Sequence, residues 1–266
     1  MTTVSPLRVV ERSPSYWRVT FDSPPINLVT FEVFAALGDL VERMEAAEDL
    51  KVVVFDSADP DFFLAHFDMV PPKTPYTGPA WLDTASRMAR SRVITIASIR
   101  GRARGVGSEF ALACDMRFAS RENAVLGQPE VGAGVTPGGG ATERLPLLVG
   151  RGRALEIIAG ADDFDADTAE RYGWINRALP DAELDAHVDR VATRVASFDR
   201  RALAEAKALV NRSTLPSEAD LAAGAATFRT SLTWPEARDR VGRLLRRGMQ
   251  QRGELEYRLG EHIADQ

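Results

Sequence analysis

Two glutamates, Glu109 and Glu130, each stand in a glycine-bearing stretch, Gly105-Val106-Gly107-Ser108-Glu109 and Gly127-Gln128-Pro129-Glu130. Glycines before an acid let backbone amides approach a ligand closely, and two carboxylates on separate segments can divide the proton transfers of one reaction. The pattern predicts an acid/base site with an anion-stabilising turn beside it. A helix is expected to open near Ser108, and amides at a helix N-terminus have no internal partner, so the Val106 amide could donate to a developing oxyanion. Each acid also has a plainer reading. Glu109 fits a first-turn glutamate that complements the helix dipole, and Glu130 fits a solvated loop carboxylate after Pro129.

The glycine runs do not fit phosphate loops. Phe110 stands where a dinucleotide fingerprint opened by Gly105 and Gly107 needs its third glycine, and Gly134 to Gly139 is followed by Gly140-Ala141 where a P-loop needs Lys and Ser/Thr. Composition narrows the class further. The 266 residues are 45% apolar with a net charge of -5, as in a globular soluble protein and unlike a basic nucleic-acid binder. Cys114 is the only cysteine, which excludes an intramolecular disulfide and a thiolate metal cage; its apolar surroundings from Phe110 to Ala113 predict a buried structural thiol. The first residues lack a basic region followed by an apolar core, and no apolar stretch reaches bilayer length, so a cytoplasmic protein without membrane insertion is expected.

The elements that must position the acids follow from periodicity. Leu7 and Val9 alternate with polar residues, Ser13-Pro14-Ser15 supplies a turn, and Trp17, Val19 and Phe21 resume period two, which predicts a β-hairpin. Thr30 is placed to cap a helix running to about Glu48, with Val33, Leu37, Leu40, Val41 and Met44 on one stripe. Val52 to Phe55 and Val93 to Ile99 read as strands buried on both faces, with shorter candidates at Met116 to Ala119, Val125-Leu126 and Ile175 to Leu179. Strands alternating with helices predict an α/β fold with parallel strands. After Asp181 only helical pattern remains: Leu184 to Val195, Arg201 to Val210, Glu218 to Phe228, and one long segment from Pro235 toward His262. The cluster Pro71-Pro72-Lys73-Thr74-Pro75 reads as an exposed loop.

The stretch from Ile99 to Asp115, IRGRARGVGSEFALACD, resembles the signature of the crotonase, or enoyl-CoA hydratase/isomerase, superfamily. Phe62 to Asp68, Gly127 to Glu130, and Gly134 to Gly140 with Arg144-Leu145 agree with it in order and spacing. The resemblance implies a crotonase-like spiral of ββα units over residues 1–195 and an all-helical oligomerisation extension over 196–266, assembling a homotrimer or homohexamer. It implies an acyl-CoA thioester substrate, with coenzyme A part of the substrate and no metal or redox cofactor. Two backbone amides of the family hold the thioester oxygen, here placed at Ala65 and Val106, and hydratase-like members use two glutamates, here Glu109 and Glu130. Substrate-binding positions implied by the motifs are His66, Phe67, Asp68, Gly105, Gly107, Gln128, Pro129 and Gly138. Both acids tilt the expectation toward an enoyl-CoA hydratase. The alternatives are an isomerase, hydrolase or C–C lyase of the same family, or a catalytically silent acyl-CoA binder.

The chain departs from the family pattern at several places. His66 and Phe67 stand where the loop usually carries small residues; His66 is either a surface histidine of a mobile loop or a wall or extra proton carrier in the acyl pocket, and Phe67 is read as packing. Arg102 and Arg104 flank the glycine turn, where a surface ion-pairing role is preferred over contact with CoA phosphates. The arginines between Arg238 and Arg247 do not reproduce the usual family ending and are expected on a solvated helix face.

Overall fold

The computed structural model describes residues 5–70, 76–78 and 80–265, so the proline cluster at 71–75 lies outside the described residues. The chain opens with the expected hairpin, β1 (Leu7–Ser13) and β2 (Tyr16–Phe21), antiparallel with Val9 opposite Val19. Helix α1 (Phe31–Ala46) follows, its Val33 amide donating to the Thr30 hydroxyl at 3.4 Å and its predicted stripe buried. Then come β3 (Val52–Ser57), β4 (Phe62–Leu64), α2 (Trp81–Arg90), β5 (Ile94–Ile99), β6 (Arg102–Arg104), α3 (Val106–Ala113), β7 (Met116–Ser120), β8 (Val125–Gly127) and α4 (Ala141–Val149). Helix α5 (Arg151–Gly160), β9 (Asp163–Asp165), α6 (Ala166–Tyr172) and β10 (Arg177–Leu179) complete the mixed part.

The order of these elements makes a spiral. The pairs β3–β4, β5–β6 and β7–β8 each lay one strand into a six-stranded sheet, β1-β2-β3-β5-β7-β10, and a three-residue strand into a second sheet, β4-β6-β8-β9, with α2 and α3 returning the chain to the first. From β2 to β10 the larger sheet is parallel, and β4, β6 and β8 are parallel neighbours. The continuous apolar runs follow from burial of both faces. Val53, Phe55 and Ala97 face the main core with α1 and α3, while Val52, Val54 and Ile96 meet Leu184, Val188 and Ala192 of α7 (Asp181–Ala196) on the other side. Cys114 is buried as expected, and burial pushes its thiol up to about 12.

The C-terminal region is helical: α8 (Arg200–Thr214), α9 (Glu218–Ser231), α10 (Pro235–Arg246), α11 (Glu254–Tyr257) and α12 (Leu259–Ile263). The single long helix expected from Pro235 to His262 is therefore broken. Gly248 and Gln250 take positive φ, +104° and +72°, and this turn brings Leu244 of α10 onto the same apolar cluster as Met249, Leu255, Leu259 and Ile263. Arg238, Arg243, Arg246 and Arg247 lie on the solvated face as expected, but Arg240 turns inward, half-buried, and donates to the Gly132 carbonyl at 3.3 Å.

The surface role preferred for Arg102 and Arg104 is not what the fold uses. Arg104 is almost completely buried, forks onto Asp163 at 2.7 and 2.6 Å, and donates to the Glu256 carbonyl at 2.6 Å. Arg102 is partly buried, donates to the Tyr257 carbonyl at 3.1 Å and lies over the rings of Phe62 and Tyr257. Both side chains point to the C-terminal helices and fasten them to the second sheet. Among the described residues no helix is long and apolar enough to cross a membrane.

Candidate active site

The two glutamates converge because their strands are neighbours. β6 and β8 pair in parallel with Arg104 opposite Gly127, and the Gly105 amide donates to the Gly127 carbonyl at 3.0 Å. The chain leaving β6 enters α3, and the chain leaving β8 runs beside it to Glu130. Gly105 adopts φ +51°, so the unusual turn angle falls on glycine and leaves β-branched Val106 to begin the helix. A Cβ on Gly105 would sit 2.7 Å from Glu130 Oε1, and one on Gly107 would sit 2.2 Å from the Leu64 carbonyl oxygen. Gly105 thus leaves room for the Glu130 carboxylate, and Gly107 for the Leu64 backbone.

Glu109 is buried, and its Oε1 accepts the amides of Gly139 at 2.8 Å and Ala141 at 3.1 Å. A Cβ at Gly139 would lie 2.1 Å from Glu109 Oε2, so the loop before α4 fits the carboxylate only without a side chain there. Trp81 steadies that loop, its Nε1 donating to the Gly139 carbonyl at 3.1 Å. Burial pushes Glu109 up to about 7, with the two amides and the Arg144 charge opposing. Glu109 is thus both the first-turn acid of α3 and a buried carboxylate raised toward neutral pH. Glu130 is partly buried, which sets aside the solvated-loop reading, and its Oε2 accepts from Gln128 Nε2 at 3.2 Å. Burial, then the Glu109 charge, pushes it up to about 8. Gln128 is fully buried.

The amide assigned to Ala65 is already occupied. It donates to the Asn27 carbonyl at 3.1 Å, so it has no hydrogen left for a thioester oxygen. Two residues on, the Phe67 amide has no hydrogen-bond partner among the described residues, and the same holds for Val106 at the first position of α3. The peptide that carries the Phe67 amide is held at its other end, where the His66 carbonyl accepts from Val29 at 2.9 Å. The donor assignment in this loop therefore moves from Ala65 to Phe67.

His66 is not a surface histidine. It is buried, its Nε2 lies 2.9 Å from Glu256 Oε1, and its Nδ1 lies 3.1 Å from the Phe67 carbonyl oxygen. Burial alone would lower its pKa, but the Glu256 carboxylate outweighs this and raises it. Glu256 is held below its ordinary value because the His66 charge overcomes the burial of its carboxylate.

These groups border a cavity of about 410 Å³. Glu109, Glu130, Val106, His66, Phe67, Pro129 and Gly138 line it, and Phe31, Phe34 and Trp81 add an aromatic wall. Phe34 lies between Phe67, at 5.6 Å and 13°, and Trp81, at 5.5 Å and 24°. Phe228, Leu232, Val241, Met249, Leu259 and Ile263 close the cavity from the C-terminal helices. Asp68 faces a second hollow of about 420 Å³ that shares Phe31, Phe67 and Val241 with the first, and its Oδ1 accepts the Val70 amide at 2.9 Å. The sequence reading missed the aromatic wall, the C-terminal closure, and Asn27, Gln250 and Glu256. Only the glycines at 248 and 253 gave a signal, as breakers of the last helix.

Residues 11–240 match the model of the family described as enoyl-CoA hydratase/isomerase. The chain belongs to that family. A short-chain-enoyl-CoA hydratase of Clostridium acetobutylicum is 31% identical over 77% of this chain and 80% of its own. A crotonyl-CoA hydratase of Syntrophomonas wolfei is 45% identical over 44% of each chain, so that match spans less than half of either protein. Among solved structures, a Streptomyces avermitilis protein that carries the enoyl-CoA hydratase name superposes with a TM-score of 0.93 at 42% identity, covering 100% of this chain and 99% of that one. An enoyl-CoA hydratase from Mycobacterium avium subsp. paratuberculosis gives 0.82 at 27% identity, over 91% and 100%. The spiral, the motifs and these relatives together make this chain an enzyme of the crotonase superfamily, hydratase-like in its pattern.

Proposed function

We propose that this family member adds water across the double bond of a 2-enoyl-CoA thioester. The observation that carries the reading is the meeting of two raised carboxylates and two unpartnered amides in one apolar cavity. The thioester oxygen sits between the Val106 and Phe67 amides, which stabilise the enolate that forms as water adds to Cβ. Two carboxylates in one buried site titrate as a pair and share a proton over the interval between their pKa values. Glu109, whose Oε1 accepts two backbone amides that favour its ionised form, takes the proton from the attacking water. Glu130, where the neighbouring Glu109 charge disfavours a second negative charge, delivers its proton to Cα. The net result is one water added, with the pair's proton count restored. A silent acyl-CoA binder fits less well, because two acids facing an apolar cavity are costly to desolvate and add nothing to binding a neutral acyl group.

The decisive experiment is a screen of purified protein against short, long, branched and aromatic 2-enoyl-CoAs, following loss of the conjugated thioester absorbance. Hydration of at least one is expected; isomerisation, hydrolysis or C–C cleavage in its place would assign the site to another family reaction. The hydration rate should peak between pH of about 7 and 8, the range into which burial pushes the pair. Below that window both acids are protonated and no base remains; above it both are ionised and no acid remains. A rate that is flat from pH 6 to 9 would contradict the shared-proton pair.

Assembly belongs to the same reading. Leu209 and Val210 on α8 are 63% and 59% exposed, and Leu147 on α4 is 58% exposed. Such apolar side chains fit contacts between copies of the chain, and a trimer or a dimer of trimers is expected. Light scattering at micromolar concentration checks this, with a monomer as the contrary result.

A further inference from the structure

The loop that carries the Phe67 amide is gripped by a segment far away in sequence. Glu256 is completely buried, and its Oε1 accepts both His66 Nε2 at 2.9 Å and the Gln250 amide at 2.6 Å. Gln250, held at φ +72°, turns its own Nε2 to the Phe67 carbonyl at 3.2 Å, where His66 Nδ1 already lies at 3.1 Å. Two donors therefore hold the Phe67 carbonyl, and both are fixed by one carboxylate. The chemistry of the ring follows from its partners. A peptide carbonyl can only accept and an ionised carboxylate can only accept, so His66 meets both when each ring nitrogen carries hydrogen. Arg104 completes the anchor by bonding the Glu256 carbonyl at 2.6 Å.

We infer that His66, Glu256 and Gln250 form a positioning unit that holds the Phe67 carbonyl while Val29 holds the His66 carbonyl, fixing the backbone on both sides of Phe67, so that the closure of the C-terminal segment over the cavity also sets the geometry of one oxyanion donor. The inference rests on the assignment of Phe67 as that donor. His66 transfers no proton to substrate, since both its nitrogens are engaged, and neither Glu256 nor Gln250 lines the cavity. Neutralising Glu256 removes the partner that supports two hydrogens on the ring, and the Phe67 carbonyl loses a donor or the pair comes apart. A misplaced oxyanion donor weakens transition-state stabilisation more than ground-state binding.

The test uses Glu256→Gln, His66→Gln, the double variant and Gln250→Ala. For crotonyl-CoA, Glu256→Gln should lower kcat by about tenfold with KM changed by less than about threefold, and the double variant should be no worse than the more damaged single one, as for residues that act as a unit. The infrared stretch of the thioester carbonyl of bound butyryl-CoA, which cannot be hydrated, should move back toward its free value in each variant. Gln250→Ala keeps the ion pair and removes one donor, so it decides the matter through the carbonyl band if Glu256→Gln does not fold. Wild-type carbonyl bands in the folded variants, or fully additive losses from His66→Gln and Glu256→Gln, would overturn the inference. Failure of the wild type to hydrate any enoyl-CoA would remove the hydratase reading alone, because the butyryl-CoA band still reports on the donor.

Discussion

Glutamine in place of Glu109 or Glu130 should lower hydration at least about a hundredfold in either variant, the scale of losing one general acid or base, with CoA thioester binding retained. The carboxamide keeps the shape, and at Glu109 it still offers an oxygen to the Gly139 and Ala141 amides. What it loses is the ability to exchange a proton. The folded state should respond in the opposite direction. Burial pushes both acids from their ordinary 4.5 up to about 7 and 8, so from about pH 4.5 up to those raised values the folded protein binds more protons than the unfolded chain. Stability from these groups is therefore fully present below about 4.5 and declines as pH rises through the folded values, which makes ionising the pair a cost at pH 8. Each glutamine variant should accordingly melt at a higher temperature than wild type at pH 8, with the difference shrinking toward pH 5. A variant with near-normal turnover would take that glutamate out of the mechanism. Slow turnover joined to a lower melting temperature at pH 8 would point to a damaged fold instead.

The glutamate pair was legible because glycine marks where backbones must come close, and the structure puts the Gly105 turn against Glu130 and the Gly139 loop against Glu109. The larger sheet was legible for a similar local reason, since runs such as Val52 to Phe55 are apolar on both faces. The second sheet was not. Its strands β4, β6, β8 and β9 have three residues each, too few to show a period, yet β6 and β8 are what bring the acids together. The occupied Ala65 amide was invisible because its partner is a backbone carbonyl, at Asn27, and a carbonyl leaves no residue-type signature. His66 meets Glu256, and Arg104 meets Asp163, only through tertiary folding, so Arg104 read locally as a surface charge and His66 stayed open between a surface histidine and a pocket residue. The cavity's closing wall was hidden for another reason. Phe228, Val241 and Ile263 look like the apolar stripes of any amphipathic helix, and nothing in their spacing says that they face a ligand space.

Proline at Val106 should cut kcat by about a hundredfold to a thousandfold, the scale of losing one oxyanion donor. This position isolates the amide from the fold in a way few others would. Val106 opens α3, where its N–H has no helical partner, and the first helical bond runs from the Glu109 amide to the Gly105 carbonyl at 2.9 Å. Proline suits the first position of a helix, so the substitution removes the hydrogen while the helix that carries Glu109 keeps its start. Val106→Ala gives the contrast, because it trims the side chain at the cavity wall and keeps the N–H. The proline variant should therefore lose far more than the alanine variant while both retain wild-type circular dichroism. The carbonyl band of bound butyryl-CoA should relax toward its free value only in the proline variant. Equal losses in the two would mean that the Val106 side chain, through packing against the acyl group, matters and its amide does not. The enolate charge would then rest on Phe67 and on whatever else reaches the thioester oxygen.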